Sequence, residues 1–141
     1  MPALHSVSVV GVITDDRGRA LIIRRRDNGH WEPPGGVLEE GEAIEDGLRR
    51  EMLEEAGLTV THAVLTGVYK NMARPIVALV FRCEVDTGTP AANSEVSEFA
   101  WADQDLLQAR MDQAYAVRAD VLQTRTQASE FVDDKTAALL H

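Results

Sequence analysis

Val7, Val9, Gly11 and Ile13 alternate with other residues, the period of two that marks a strand with one side toward a core. Asp15-Asp16-Arg17-Gly18 is a turn cluster, and Ala20 to Ile23 resumes as a strand, so residues 5–25 predict a hairpin. A polar link, Asp27-Asn28-Gly29, leads into Trp31-Glu32-Pro33-Pro34-Gly35-Gly36. Two prolines followed by two glycines do not suit the interior of an element and predict a rigid bend. After Gly41 the period changes. Ile44, Leu48 and Met52 recur at i+4, which predicts a helix from about Ala43 to Ala56, closed by a left-handed cap at Gly57. Leu58 to Tyr69 is rich in β-formers, Lys70 to Pro75 is a polar turn, and Ile76 to Val85 is the most apolar strand. Asp86 to Ser94 predicts a loop and Glu95 to Trp101 a last strand. Met111, Ala114, Tyr115, Arg118, Val121 and Leu122 have the spacing of a C-terminal helix. This order of elements predicts an α+β fold.

The chain has 141 residues, the length of one domain, expected over residues 1–125 with a C-terminal tail at 126–141. A formal charge of −9 argues against nucleic-acid backbones and anionic membrane surfaces as partners. The single cysteine, Cys83, excludes an intrachain disulfide and a multi-cysteine zinc site. It stands in an apolar strand and reads as core. No apolar run approaches the ~20 residues of a membrane span. No basic segment leads into an apolar run at the N-terminus, so a cytoplasmic location is expected.

Glu51, Glu54 and Glu55 stand at i, i+3 and i+4 of the predicted helix, so three carboxylates share one face. They repel one another and lie at the helix end where the macrodipole disfavours anions. A cation reverses both penalties, and a hard divalent ion such as Mg²⁺ takes oxygen ligands of this kind. Taken alone, such a cluster is more often a solvated surface.

Its surroundings decide. Gly36, Glu42, Arg50, Glu51, Glu54, Glu55 and Gly57 match the pattern G-x5-E-x7-R-E-U-x-E-E-x-G-U, with Met52 and Leu58 at the apolar positions U. Seven fixed residue types, each at a background of about 5–10%, match by chance on the order of once in a million chains of this length. The stretch resembles the Nudix box, the signature of the Nudix hydrolases. Trp31 to Gly36 resembles the family's lead-in to the box, and Glu95 to Trp101 its last core strand.

The resemblance implies a mixed β-sheet sandwiched between α-helices. It also implies hydrolysis of a phosphoanhydride in a nucleoside diphosphate derivative, with Mg²⁺ or Mn²⁺ as cofactor. Glu51, Glu54 and Glu55 are then the metal ligands, with the backbone carbonyl of Gly36 as a further one. Glu54 is the favoured general base, and a loop acid, Glu95 or Glu98, is the alternative. Arg50 is expected to pair with Glu42 or a ligand glutamate and hold the site rigid. The competing reading is a nucleotide-binding sensor of the same fold without turnover.

Arg24 and Arg26 share one face of their strand and, with Lys70, are candidates for substrate phosphates. Trp31 is a candidate for stacking on a base. His30 and Tyr69 are lesser candidates, and Trp101 reads as core. The short chain looks most like MutT-type enzymes acting on (d)NTPs or their oxidised forms. The expected partner is thus a small nucleotide. Many members of the family dimerise, although no interface signature stands out in this chain. Gly47 falls mid-helix, where glycine costs roughly 0.5–1 kcal/mol relative to alanine, and a close neighbouring strand is the expected reason.

Overall fold

A computed structural model describes residues 2–86, 88–111 and 131–133. In chain order the elements are β1 (Ser6–Val12), β2 (Ala20–Arg25), β3 (Trp31–Glu32), β4 (Gly35–Val37) and α1 (Ile44–Ala56). They continue as β5 (Val60–Lys70), β6 (Ile76–Val85), β7 (Val96–Ala102), α2 (Gln104–Arg110) and β8 (Phe131–Asp133). The strands form two sheets, one ordered β4-β1-β6-β5-β8 and one ordered β3-β2-β7. The larger is mixed: β1 runs parallel to β6 and β5 to β8, while β4–β1 and β5–β6 are antiparallel. The smaller is antiparallel throughout.

Side chains alternate across each strand, so the larger sheet feeds two cores. Val9, Phe81 and Cys83 pack with Leu48, Met52 and Ala56 of α1. Val12 and Val80 pack with Ala20, Ile22 and Ala102 of the smaller sheet and Leu107 of α2. The larger sheet therefore lies between α1 on one side and the smaller sheet with α2 on the other. Leu48 and Met52 are completely buried, worth roughly 1.5–3 kcal/mol each in burial. Gly11 allows this closeness, because a Cβ there would lie 2.3 Å from the sulfur of Met52.

Two expectations change. Residues 5–25 do not form a hairpin: β1 and β2 belong to different sheets, joined only near their turn by a bridge between Thr14 and Ala20. Ala20 to Ile23 are all buried, whereas a two-stranded hairpin leaves one face wet. β2 instead becomes the middle strand of the smaller sheet. Gly35 and Gly36 are not part of the bend, since they form an edge strand on β1, with Val9 opposite Gly36. Only Pro33 and Pro34 make the crossing between sheets. The helix after β7 is α2, capped by Asp103, whose side chain accepts the Leu106 N–H at 2.9 Å. The helix expected over 111–122 lies outside the described residues except for Met111, the C-cap of α2. Within the expected tail, Phe131–Asp133 pairs alongside Val68–Lys70. Among the described residues no helix is long and apolar enough to cross a membrane.

Candidate active site

The site is built where α1 crosses β4. The helix begins without a side-chain cap at Ala43, but Glu45 and Asp46 occupy its first turn, where the macrodipole favours anions. It ends at Gly57, whose φ of 69° only glycine adopts without strain. The Gly57 N–H donates to Leu53 O at 3.0 Å and the Leu58 N–H to Met52 O at 3.3 Å. Between these ends the helix turns Glu51 and Glu55 inward, both buried, and leaves Glu54 half-exposed.

Each carboxylate has its own setting. Glu51 lies against Gly36, where a Cβ would come within 2.5 Å of its carboxyl carbon. Burial raises the pKa of Glu51, opposed by its hydrogen bond from Arg50. Glu55 accepts the Gly35 N–H at 3.0 Å. Burial nonetheless pushes its carboxyl up to about 8, with the nearby charges of Glu51 and Glu32 adding to the effect. Glu54 meets Arg50 at 3.2 Å.

Arg50 is the hub. Its guanidinium holds Glu42 with two hydrogen bonds, Nε at 2.7 Å and a terminal nitrogen at 3.0 Å. The other terminal nitrogen donates to Glu51 at 3.0 Å, and a further bond reaches the Val37 carbonyl at 3.3 Å. Pairing with Arg50 brings the Glu42 carboxyl down to about 2, with help from the Glu39 N–H. The expected choice between Glu42 and a ligand glutamate is not exclusive, because Arg50 binds both. Gly47 serves the same arrangement. A Cβ there would lie 2.4 Å from Leu38 Cδ1 and 2.8 Å from Glu42 Oε1, so the close neighbours of the glycine are side chains of the loop before the helix and not a neighbouring strand.

The donor set suits a hard divalent cation, with three carboxylates on one face and backbone oxygen close by. Two of the three are buried, and burying anions without a cation is costly. Among the described residues no three acid, histidine or cysteine side chains close around one point. Glu51 and Glu54 reach to Arg50 and Glu55 to Gly35, so a bound ion competes for carboxylates already held near one another.

A groove of about 480 Å³ opens beside Gly36. Its floor includes Val10, Ile76 and Ala78, and its rim carries Arg25, His30, Asn71 and Arg74. Tyr69 lines it while remaining buried. The other sequence candidates lie elsewhere. Arg24 pairs with Glu98 across the β2–β7 ladder at 3.4 Å. Arg26 donates from Nε to Asn93 O at 2.7 Å. Lys70 is exposed at the end of β5. Trp31 is partly buried on the core, with the Arg110 guanidinium 4.5 Å from its ring centre. It lines a separate cavity of about 330 Å³ with Glu98 and Phe99. Of the two loop acids, Glu95 belongs to the stretch fastened to the end of α1, and Glu98 points to Arg24. Arg25 and Asn71 were missed by the sequence reading, whereas Arg74 belongs with Lys70 and Arg82 to the acid-free stretch 67–82, whose cations are expected to steer an anionic substrate.

Comparison with known proteins agrees with this geometry. The model of the NUDIX domain matches residues 4–123. A MutT-like protein of Streptomyces ambofaciens is 52% identical over 117 residues, spanning 83% of this chain and 76% of the relative. An ADP-ribose pyrophosphatase of Methanocaldococcus jannaschii is 34% identical over 108 residues, 71% of this chain and 63% of the relative. A solved ADP-ribose pyrophosphatase of Streptococcus suis superposes with a TM-score of 0.74 at 20% identity, covering 92% of this chain and 99% of that one, and so shares the fold. With its box residues gathered on α1 and the loop before it, and with the domain model matching most of its length, the chain belongs to the Nudix family.

Proposed function

We propose that this protein is a pyrophosphohydrolase that cleaves the phosphoanhydride of a nucleoside diphosphate derivative, such as a (d)NTP or an oxidised dNTP, with Mg²⁺ or Mn²⁺. The observation that carries this reading is the carboxylate face of Glu51, Glu54 and Glu55 beside Gly36, braced by the Arg50–Glu42 fork. Glu51, Glu54 and Glu55 would hold the ion, with the Gly36 carbonyl as a further donor. When bound, such an ion offsets phosphate charge and lowers the pKa of a coordinated water.

The chain's own groups divide the remaining work. Glu54 is the most exposed of the three acids and is held only by Arg50, so it is the best placed to take a proton from water. Arg50 keeps Glu51 and Glu54 oriented. The groove beside Gly36 takes the nucleoside, with Arg25 and Arg74 at its rim toward an anionic substrate. The acids Asp27 and Glu32 already share Arg25, so Arg74 is the freer of the two cations.

The test is product release with Mg²⁺ over a panel of dNTPs, 8-oxo-dGTP, ADP-ribose, dinucleoside polyphosphates and nucleotide sugars. One substrate class is expected to turn over, and Glu54→Gln is expected to slow it by roughly 10²–10⁴-fold. Turnover that survives Glu54→Gln would move the proton-accepting role to Glu95. Metal-dependent nucleotide binding without any turnover would establish a sensor instead.

A further inference from the structure

Gly67 stands inside β5, a strand of 11 residues. Glycine weakens a strand interior, and one found there often marks a close approach by another group. The backbone does not ask for it, because Gly67 is not among the glycines with positive φ. A neighbouring ring does. A Cβ on Gly67 would lie 2.6 Å from Cε2 of Tyr69 and 2.9 Å from both its Cζ and its Oη. Residues two apart share a face of a strand. The Tyr69 ring is therefore folded back along its own strand, with its tip over the bare backbone of Gly67.

The same residue borders the groove. Ser8 pairs with Ala78 and Ala78 with Tyr69, so the three form one row across β1, β6 and β5. All three line the groove. Ser8 and Ala78 are short and give it depth, and Tyr69 ends the row. In its folded-back position the ring packs with Val80, Leu107 and Met111 and is only 4% exposed.

We infer that Gly67 is a positioning residue for nucleoside binding, which receives the Tyr69 ring over its bare backbone and so keeps the groove open. This rests on the reading of the groove as the nucleoside site. Carbon atoms in contact lie about 3.5–4.0 Å apart, so a methyl group at position 67 must push the ring by about 1 Å. The ring is rigid and moves as a unit. On its core side the packing is close and leaves no room. On its other side lies the groove, with about 480 Å³ of space. The displaced ring moves there and takes the place of the ligand. The hydrogen bonds that hold Glu51, Glu54 and Glu55 come from α1 and β4, so the loss falls on nucleotide binding and not on the carboxylate site.

The experiment measures binding of a non-hydrolysable α,β-imido analogue of dGTP by titration calorimetry with Mg²⁺, using the full chain. Gly67→Ala, Tyr69→Leu and the two combined are compared with the parent, and thermal melting checks that each is folded. Leucine ends at its Cδ atoms, short of the Cε2, Cζ and Oη positions that a methyl at 67 would meet. Gly67→Ala alone is expected to weaken binding roughly 10–200-fold, the range for a steric misfit in a pocket. In the Tyr69→Leu background the same change is expected to cost nothing further, because Gly67 acts through the ring. An effect of alanine on the strand itself would appear in both backgrounds. A crystal structure of Gly67→Ala is expected to show the ring of Tyr69 in the groove. Parent-like binding in Gly67→Ala overturns the inference. So does an equal loss in the Tyr69→Leu background, or a ring that stays over position 67 in the crystal structure. A parent protein that does not bind the analogue overturns the nucleoside reading of the groove, while the position of the ring still tests the role of Gly67.

Discussion

Gly36→Ala tests how closely one residue controls the site. The new Cβ would fall within 2.6 Å of both Glu51 carboxylate oxygens, far inside contact distance. The atoms displaced are the flexible end of a side chain, so the fold should survive with a small change in melting temperature. Turnover should fall on the order of 100-fold, the usual result of moving a catalytic group by about 1 Å. A variant with parent-like kinetics would show that Glu51 does not need its position. Arg50→Lys is a second test at this scale. An ammonium cannot keep the two-pronged contact with Glu42 while also holding Glu51 and Glu54. Mn²⁺ affinity or turnover is expected to drop roughly 10–100-fold. These residues were legible in the sequence because their spacing in the box is rigid. Arg25 and Asn71 were not, because groove residues come from β2 and the β5–β6 loop, whose approach depends on tertiary packing. The arginine run shows the limit well. Alternation correctly separated Arg25 from Arg24 and Arg26, but which side faced the groove depended on the partner strand, β7.

At the scale of elements, α1 departs from helix propensity for the sake of the loop before it. Gly47→Ala should gain up to about 1 kcal/mol from propensity alone. The Cβ clashes with Leu38 and Glu42 cancel that gain, so urea denaturation is expected to show no stabilisation. A variant more stable by the full propensity difference would mean that Leu38 and Glu42 move aside freely. α1, β5, β6 and β7 were readable almost to their ends, since each carries its own period or a clear terminator such as Gly57. The failed hairpin has the opposite cause. Local alternation and a good turn identified β1 and β2 as strands, yet neither specifies a partner. β6 offers β1 a longer apolar ladder, from Ser6 opposite Ile76 to Val12 opposite Arg82. The Gly35-Gly36 strand escaped notice because its value lies in close approach: a Cβ on Gly35 would lie 2.3 Å from Val9 O.

For the whole molecule, the buried acids predict an unusual response to pH. Glu55 has its pKa raised by burial to about 8 in the fold, against about 4.3 for an ordinary glutamate. The fold therefore binds that proton more tightly than the unfolded chain does. Its contribution to stability is fully present below the ordinary glutamate range and is lost as pH rises through 8. The metal-free protein should melt at progressively lower temperature from about pH 5 to pH 8, Glu55→Gln should flatten this trend, and Mg²⁺ should oppose it by binding the ionised form. Thermal scans with and without chelator measure all three, and a melting temperature that climbs across this window without metal would contradict the burial argument. The same two-sheet plan also governs the order in which the protein is assembled. Within this fold β1 and β2 are synthesised well before their long partners, β6 and β7, which come near the end of the described domain. Both early strands must wait with apolar edges uncovered, and such distant pairings form slowly. The adjacent β5–β6 ladder is the natural early product, so the earliest strands of this fold are the last to complete their pairing.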